Sequence, residues 1–282
     1  MRYTIENDLL GVTVDTYAAE VVSVKKDGKE WVWQNDDGNW AEHGPMLFPV
    51  SGRCGVCVNG VEYPINPHGF ARESVFKLVE RGENFLRFFL KTNKETKKVY
   101  PFDFELYATY TLSRDTLYIE YDVRNPSKKP LYFACGGHES FNLENAIGEY
   151  EIRFEKAENL VNLVHDSKGR LTGDTIDYGT TDTFVLPADF LVDSKTLIFK
   201  DLQSRKIVLA EREGKALAEI AFPDFSNLLF WRALDSKYIC IEPWSNLPDT
   251  VNTPDCEFAQ KAGVFEVAPK SGRKIVRSIR YL

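Results

Sequence analysis

The sequence predicts an all-β protein, a large antiparallel β-sandwich formed as one unit over residues 1–282. Three observations predict it. Apolar residues recur at a period of two along most of the chain, long helical patterns are missing, and turn residues punctuate the strand patterns. An apolar content of 43% with 19 Phe and 13 Tyr supplies one large core. No linker, fixed-period repeat or low-complexity segment divides the chain.

Taken in order, residues 13–24 alternate, Asp27-Gly28 forms a two-residue hairpin turn, and Glu30-Trp-Val-Trp-Gln34 resumes the strand. The turn at residues 35–39 leads through Trp40 into a polar, bend-rich stretch, Pro49 to Arg72. Residues 75–80 and 85–92 pair around Arg81-Gly-Glu-Asn84. Phe104, Leu106, Ala108, Tyr110 and Leu112 share one strand face. Leu117, Ile119, Tyr121 and Val123 line the partner strand.

Residues 131–135 form a short buried strand running into Gly136-Gly137-His138-Glu139. Residues 144–190, rich in acids and turns, are expected as loops across one edge. Strand patterning returns at 197–201, 206–211, 216–222, 228–232 and 238–244. A short helix is allowed at 254–260, and the chain closes with a hairpin of 264–268 and 274–281.

A formal charge of -7 argues against a nucleic-acid or anionic-membrane partner, both of which need a basic face. Local basic runs at 94–98 and 124–129 fall in turns. Acids occupy the N-terminal region where a signal peptide is apolar, and no run approaches a membrane span, so a cytoplasmic location is expected. The five cysteines form an odd, scattered set that suits reduced thiols. Cys54-Gly-Val-Cys57 has no second pair and no βαβ setting, so it reads as incidental.

The stretch from Pro49 to Arg72 holds two arginines, one histidine, four glycines and three prolines. Such a span bends repeatedly and presents many donors, which suits a polar pocket and equally a turn-rich surface loop. Arg53, His68 and Arg72 are its chemical groups. His138, after two glycines, can exchange protons near neutral pH or serve as a bonded core imidazole. Glu242 ends an apolar run before Pro243-Trp244. Burial there would raise its pKa toward that of a usable base, and a structural ion pair is the competing role.

His43 and His165 receive no role. His68 and His138 have metal-ligating chemistry without a third ligand at suitable spacing, so no metal is expected. Trp31, Trp33, Trp40, Phe70, Trp231 and Trp244 flank the polar groups, and flat apolar faces beside donors suit a sugar. No phosphate loop or dinucleotide fingerprint is present.

The segments from Glu30-Trp-Val-Trp-Gln to Trp40, Gly44-Pro-Met-Leu-Phe-Pro49, Gly52-Arg53, His68-Gly-Phe-Ala-Arg72, Gly137-His138-x-x-Phe141-Asn142 and Cys240-Ile-Glu242-Pro-Trp244 resemble, in order, the aldose 1-epimerase (mutarotase) family, within it the LacX-like branch. The resemblance implies a galactose mutarotase-like supersandwich and cofactor-free interconversion of the α and β anomers of an aldose. It implies that Glu242 takes the anomeric hydroxyl proton and His138 protonates the ring oxygen. It further implies that His68, Arg53, Arg72 and Asp193 bind the sugar.

Galactose-type members carry Asn-His-Ser-Tyr-Phe-Asn where this chain reads Gly137-His-Glu-Ser-Phe-Asn142, so galactose specificity does not transfer. The His-Gly-Phe-Ala-Arg segment also occurs in the hexose-6-phosphate branch, and Arg53 with Arg72 would suit a phosphate. The same residues would also serve a non-catalytic carbohydrate-binding protein, or a glycoside hydrolase with Glu139 or Asp249 as second carboxylate. The expected partner is a small sugar, and a homodimer is compatible with the sequence.

Overall fold

The computed structural model describes residues 1–188, 196–233, 235–252 and 257–282. Every strand pair in it is antiparallel. Thirteen strands share one sheet, which runs in spatial order from Glu139–Asn142 through Tyr238–Trp244, Asn227–Trp231, Leu197–Phe199, Tyr150–His165, Lys206–Glu211 and Ala216–Ala221. It continues through Gly272–Tyr281, Thr116–Arg124, Glu105–Ser113 and Phe85–Lys91 to Lys77–Arg81, with Leu171–Val185 paired to Tyr150–His165 outside this path.

A four-stranded sheet of Arg2–Glu6, Gly11–Asp15, Val21–Lys26 and Lys29–Glu30 packs against it. Ile5, Val12, Val14 and Val24 enter the same core cluster as Leu86, Phe88, Leu106 and Ile119. The Tyr3 and Phe88 ring centroids meet at 6.3 Å. This two-layer arrangement is the antiparallel sandwich expected from the period-two pattern.

The register explains why that pattern was informative. Leu106, Ala108, Tyr110 and Leu112 face Val123, Tyr121, Ile119 and Leu117 across one strand pair, and all eight are buried. Each large apolar side chain so buried contributes roughly 1.5–3 kcal/mol. At Asp27-Gly28 the φ angles of 51° and 77° are those of a type I′ hairpin turn.

Four elements differ from expectation. Residues 144–190 carry a long hairpin, Tyr150–His165 with Leu171–Val185, rather than loops. Three register shifts along it scramble the alternation, and the second strand is largely exposed, so no apolar stripe marks it. The segment after Glu30 leaves the ladder because the Glu30 carboxylate accepts the N–H groups of Val24 and Val32, at 2.9 and 3.1 Å.

The two closing strands do not pair with each other. Phe265–Val267 pairs with Leu131–Phe133, while Gly272–Tyr281 lies between Thr116–Arg124 and Ala216–Ala221. The expected helix at 254–260 is a single 3-10 turn, Phe258–Gln260, within the described residues. Among those residues the other helical turns are Ala71–Glu73, Thr96–Val99 and Ile147–Glu149, and no helix is long and apolar enough to cross a membrane. Cys54, Cys57, Cys135 and Cys240 are buried.

Candidate active site

The strand Tyr238–Trp244 is buried along its whole length. It is flanked by Asn227–Trp231 on one side and Glu139–Asn142 on the other. Glu139 pairs with Ile241 and Ser140 with Cys240, so continuing the register sets His138 opposite Glu242. Cross-strand neighbours share a sheet face. His138 Nε2 accordingly lies 3.3 Å from Glu242 Oε2.

Close backbone approach shapes this turn into the strand. A Cβ on Gly137 would stand 2.5 Å from Glu139 Oε2 and 2.7 Å from Arg277 Nε, so a side chain there would displace that ion pair. Below it, Glu139 pairs with Arg277, whose Nε lies 3.1 Å from Oε1, and Arg277 also donates to the Tyr121 hydroxyl at 2.6 Å. Glu139 is therefore spent on a buried ion pair.

The pair opens into a cavity of about 360 Å³ walled by His68, Arg72, His138, Glu242, Trp231 and Trp244. Trp40 stacks on the His138 ring at 5.2 Å, and Trp231 and His68 meet that ring edge-on, each at 5.7 Å. Trp31 and Trp33 lie instead in the hydrophobic core, and half-buried Phe70 packs against it. Glu242 is 1% exposed and His138 6%.

Burial dominates the electrostatics. It raises the Glu242 pKa well above the ordinary carboxylate value, against smaller lowering by the Arg72 charge. Burial pushes His138 well below 6.5, and the neighbouring His68 and Arg72 push the same way. Burial therefore favours the neutral form of both groups, the protonated carboxyl and the unprotonated imidazole. Glu242 Oε2, His138 Nδ1 and Trp244 Nε1 have no hydrogen-bond partner in the protein.

His68 takes a left-handed φ of 68°. Its N–H donates to Gly52 O at 2.9 Å, and its Nδ1 accepts the Gly52 N–H at 3.2 Å. Burial lowers its pKa to about 4, so the ring is neutral with its hydrogen on Nε2. Nε2–H is then a fixed donor.

Arg72 rides on the turn Ala71–Glu73, and its Nε donates to Glu42 Oε1 at 2.9 Å while Nη2 donates to Oε2. Glu42 Oε2 also accepts the Trp40 indole N–H at 3.2 Å. Glu42 thus holds a guanidinium and an aromatic plate in fixed relation. The Arg53 side chain is exposed at the rim, where its Nε donates to the Lys168 carbonyl.

Of the residues singled out from sequence, His68, Arg72, His138 and Glu242 meet in one cavity wall with Arg53 at its edge. Asp193 lies outside the described residues. Glu42, Lys168 and His165 were missed. His165 closes the wall, donating from Nδ1 to Asp166 O at 2.9 Å and accepting the Thr196 N–H on Nε2 at 3.1 Å. Asp249, the other candidate carboxylate, sits 2.7 Å from Lys261 Nζ and accepts the Gly55 N–H. Among the described residues Glu242 is the only carboxylate in the cavity wall.

The aldose 1-epimerase family model matches residues 1–263. Protein LacX of Lactococcus lactis, in its plasmid form, is 31% identical over 271 residues, covering 88% of each chain. A galactose mutarotase-related enzyme of Lactobacillus acidophilus is 28% identical with a TM-score of 0.89, over 100% of this chain and 97% of that one. A galactose mutarotase-like protein of Lactobacillus casei is 26% identical with a TM-score of 0.90, over all of both chains.

Proposed function

Because the chain belongs to the aldose 1-epimerase family, we propose that it interconverts the α and β anomers of an aldohexose, with Glu242 and His138 exchanging the protons. The observation that carries this reading is the buried His138–Glu242 pair, 3.3 Å apart in an aromatic-walled cavity.

The pair holds one proton. Moving it from the Glu242 carboxyl to His138 creates a carboxylate and an imidazolium without changing net charge. The carboxylate then takes the proton of the anomeric hydroxyl while the imidazolium delivers one to the ring oxygen. The ring C1–O bond breaks and the aldehyde forms. Rotation about C1–C2 presents the other carbonyl face. Closure reverses both transfers, so Glu242 and His138 end as they began.

Neutral His68 donates from Nε2 to a sugar oxygen, and the Arg72 charge lowers the Glu242 pKa toward the working range. Trp40, Trp231 and Trp244 offer flat apolar faces to the sugar ring. A glycoside hydrolase needs a second free carboxylate, whereas Glu139 and Asp249 are each held in ion pairs.

A second reading, a hexose 6-phosphate as substrate, is favoured by the rim. Exposed Arg53 and Lys168 both border the cavity, where an anionic group would meet two cations. Polarimetry of freshly dissolved α-glucose, α-galactose and hexose 6-phosphates, with wild type and Glu242→Gln in parallel, tests both. Acceleration by wild type alone supports the epimerase. No acceleration of any sugar overturns it.

A further inference from the structure

We propose that His138, Cys240 and Glu242 form a binding site for a thiophilic divalent cation of the zinc class, and that an ion held there shuts the cavity. The sequence offered no third ligand because the spacing is set by the sheet. Cys240 and Glu242 are two apart on one strand and so share a face, and the register with Glu139–Asn142 brings His138 beside them.

One ligand atom from each of the three lies within 4.8 Å of the other two. A point exists within about 2.8 Å of all three such atoms, about 0.5–0.8 Å beyond zinc bond lengths of ~2.0–2.3 Å. Small side-chain rotations close that gap. Imidazole nitrogen, carboxylate oxygen and thiolate sulfur are together the donor set that zinc and cadmium prefer. All three residues are buried, and His138 Nδ1 and Glu242 Oε2 lack partners in the protein.

Three protein ligands leave a fourth position to water. As the ion binds, the Cys240 thiol and the Glu242 carboxyl each release a proton to solvent. An ion on these side chains engages Glu242 and His138, the groups that proton exchange with a sugar requires, so occupancy and turnover exclude one another. That consequence rests on the proposed function, whereas the binding itself does not.

The test uses Cd²⁺ alone, added to the full chain after chelator treatment, and reads calorimetric affinity and the ultraviolet thiolate-to-cadmium band. One equivalent is expected in wild type, with affinity at least ~10-fold weaker in Cys240→Ser and unchanged in a Cys54→Ser/Cys57→Ser control. Equal affinity in wild type and Cys240→Ser overturns the site. Should Cys240→Ser misfold, Glu242→Gln decides in its place: it keeps every thiol and must also lose ~10-fold. In polarimetry Cd²⁺ should inhibit wild type, and each variant is compared with its own metal-free rate. If wild type accelerates no sugar, the epimerase reading fails while the cadmium titration still decides the site.

Discussion

His138 Nε2 stands 3.3 Å from Glu242 Oε2 because their strands place the two residues directly opposite on one face. The separation lets one proton serve both groups. It also means that each group sets the protonation of the other.

Glu242→Gln should remove the proposed proton acceptor while filling the same space. We expect the acceleration of mutarotation to fall by ~10²–10⁴-fold, read by polarimetry. Stability should not fall with it. Burial raises the Glu242 pKa, so its stabilising protonation is complete below 4.5 and is lost as pH climbs toward the folded value. Denaturant unfolding should therefore show the variant gaining on wild type as pH rises from 4.5. A variant that keeps full activity would remove Glu242 from the mechanism.

His68 makes the opposite statement about pH. Its pKa is lowered from 6.5 to about 4, so the neutral ring contributes stability that is whole above 6.5 and lost as pH falls through about 4. The loss amounts to at most about 3 kcal/mol, since the ring borders a cavity open to water. His68→Gln should be less stable than wild type at pH 7, with the gap narrowing toward pH 4. A gap that stays constant would mean that the ring does not titrate in this window.

Arg72 acts on Glu242 through space. Its charge lowers the Glu242 pKa, so Arg72→Met should move the basic group's limb of the pH–rate profile upward and reduce the neutral-pH rate by roughly tenfold. Glu42→Gln should loosen the same guanidinium and uncouple it from Trp40. Unshifted profiles in both variants would show Arg72 to be a spectator.

The sandwich was legible because its core strands, such as Glu105–Ser113 and Thr116–Arg124, alternate without a bulge. The hairpin of Tyr150–His165 and Leu171–Val185 was not, since its register shifts and solvent-facing second strand erase the pattern. In the site, glycine-flanked His138 and the apolar run before Glu242 stood out locally. Glu42 could not, because Arg72 lies 30 residues away and no local spacing announces that bond. Cys240 is similar: its i, i+2 spacing to Glu242 gains meaning only when His138 arrives from another strand.

Glu139 links the site to the fold, and the last prediction separates these roles. Its carboxylate holds Arg277 from the strand Gly272–Tyr281, and Arg277 reaches Tyr121 on the neighbouring strand. The pair thereby fastens the terminal strand of the sheet, which directly follows His138, to the middle of the same sheet. With Arg277 3% exposed, removing one partner strands a buried charge and should cost about 3–5 kcal/mol. Glu139→Gln should therefore lower the unfolding midpoint sharply. Replacing both residues by apolar side chains of similar volume should recover much of the loss, because no unpaired charge remains. Protein that stays folded should still accelerate mutarotation, since Glu139 does not border the cavity. A Glu139→Gln protein of unchanged stability that is catalytically dead would instead place this carboxylate in the chemistry and reopen the two-carboxylate reading.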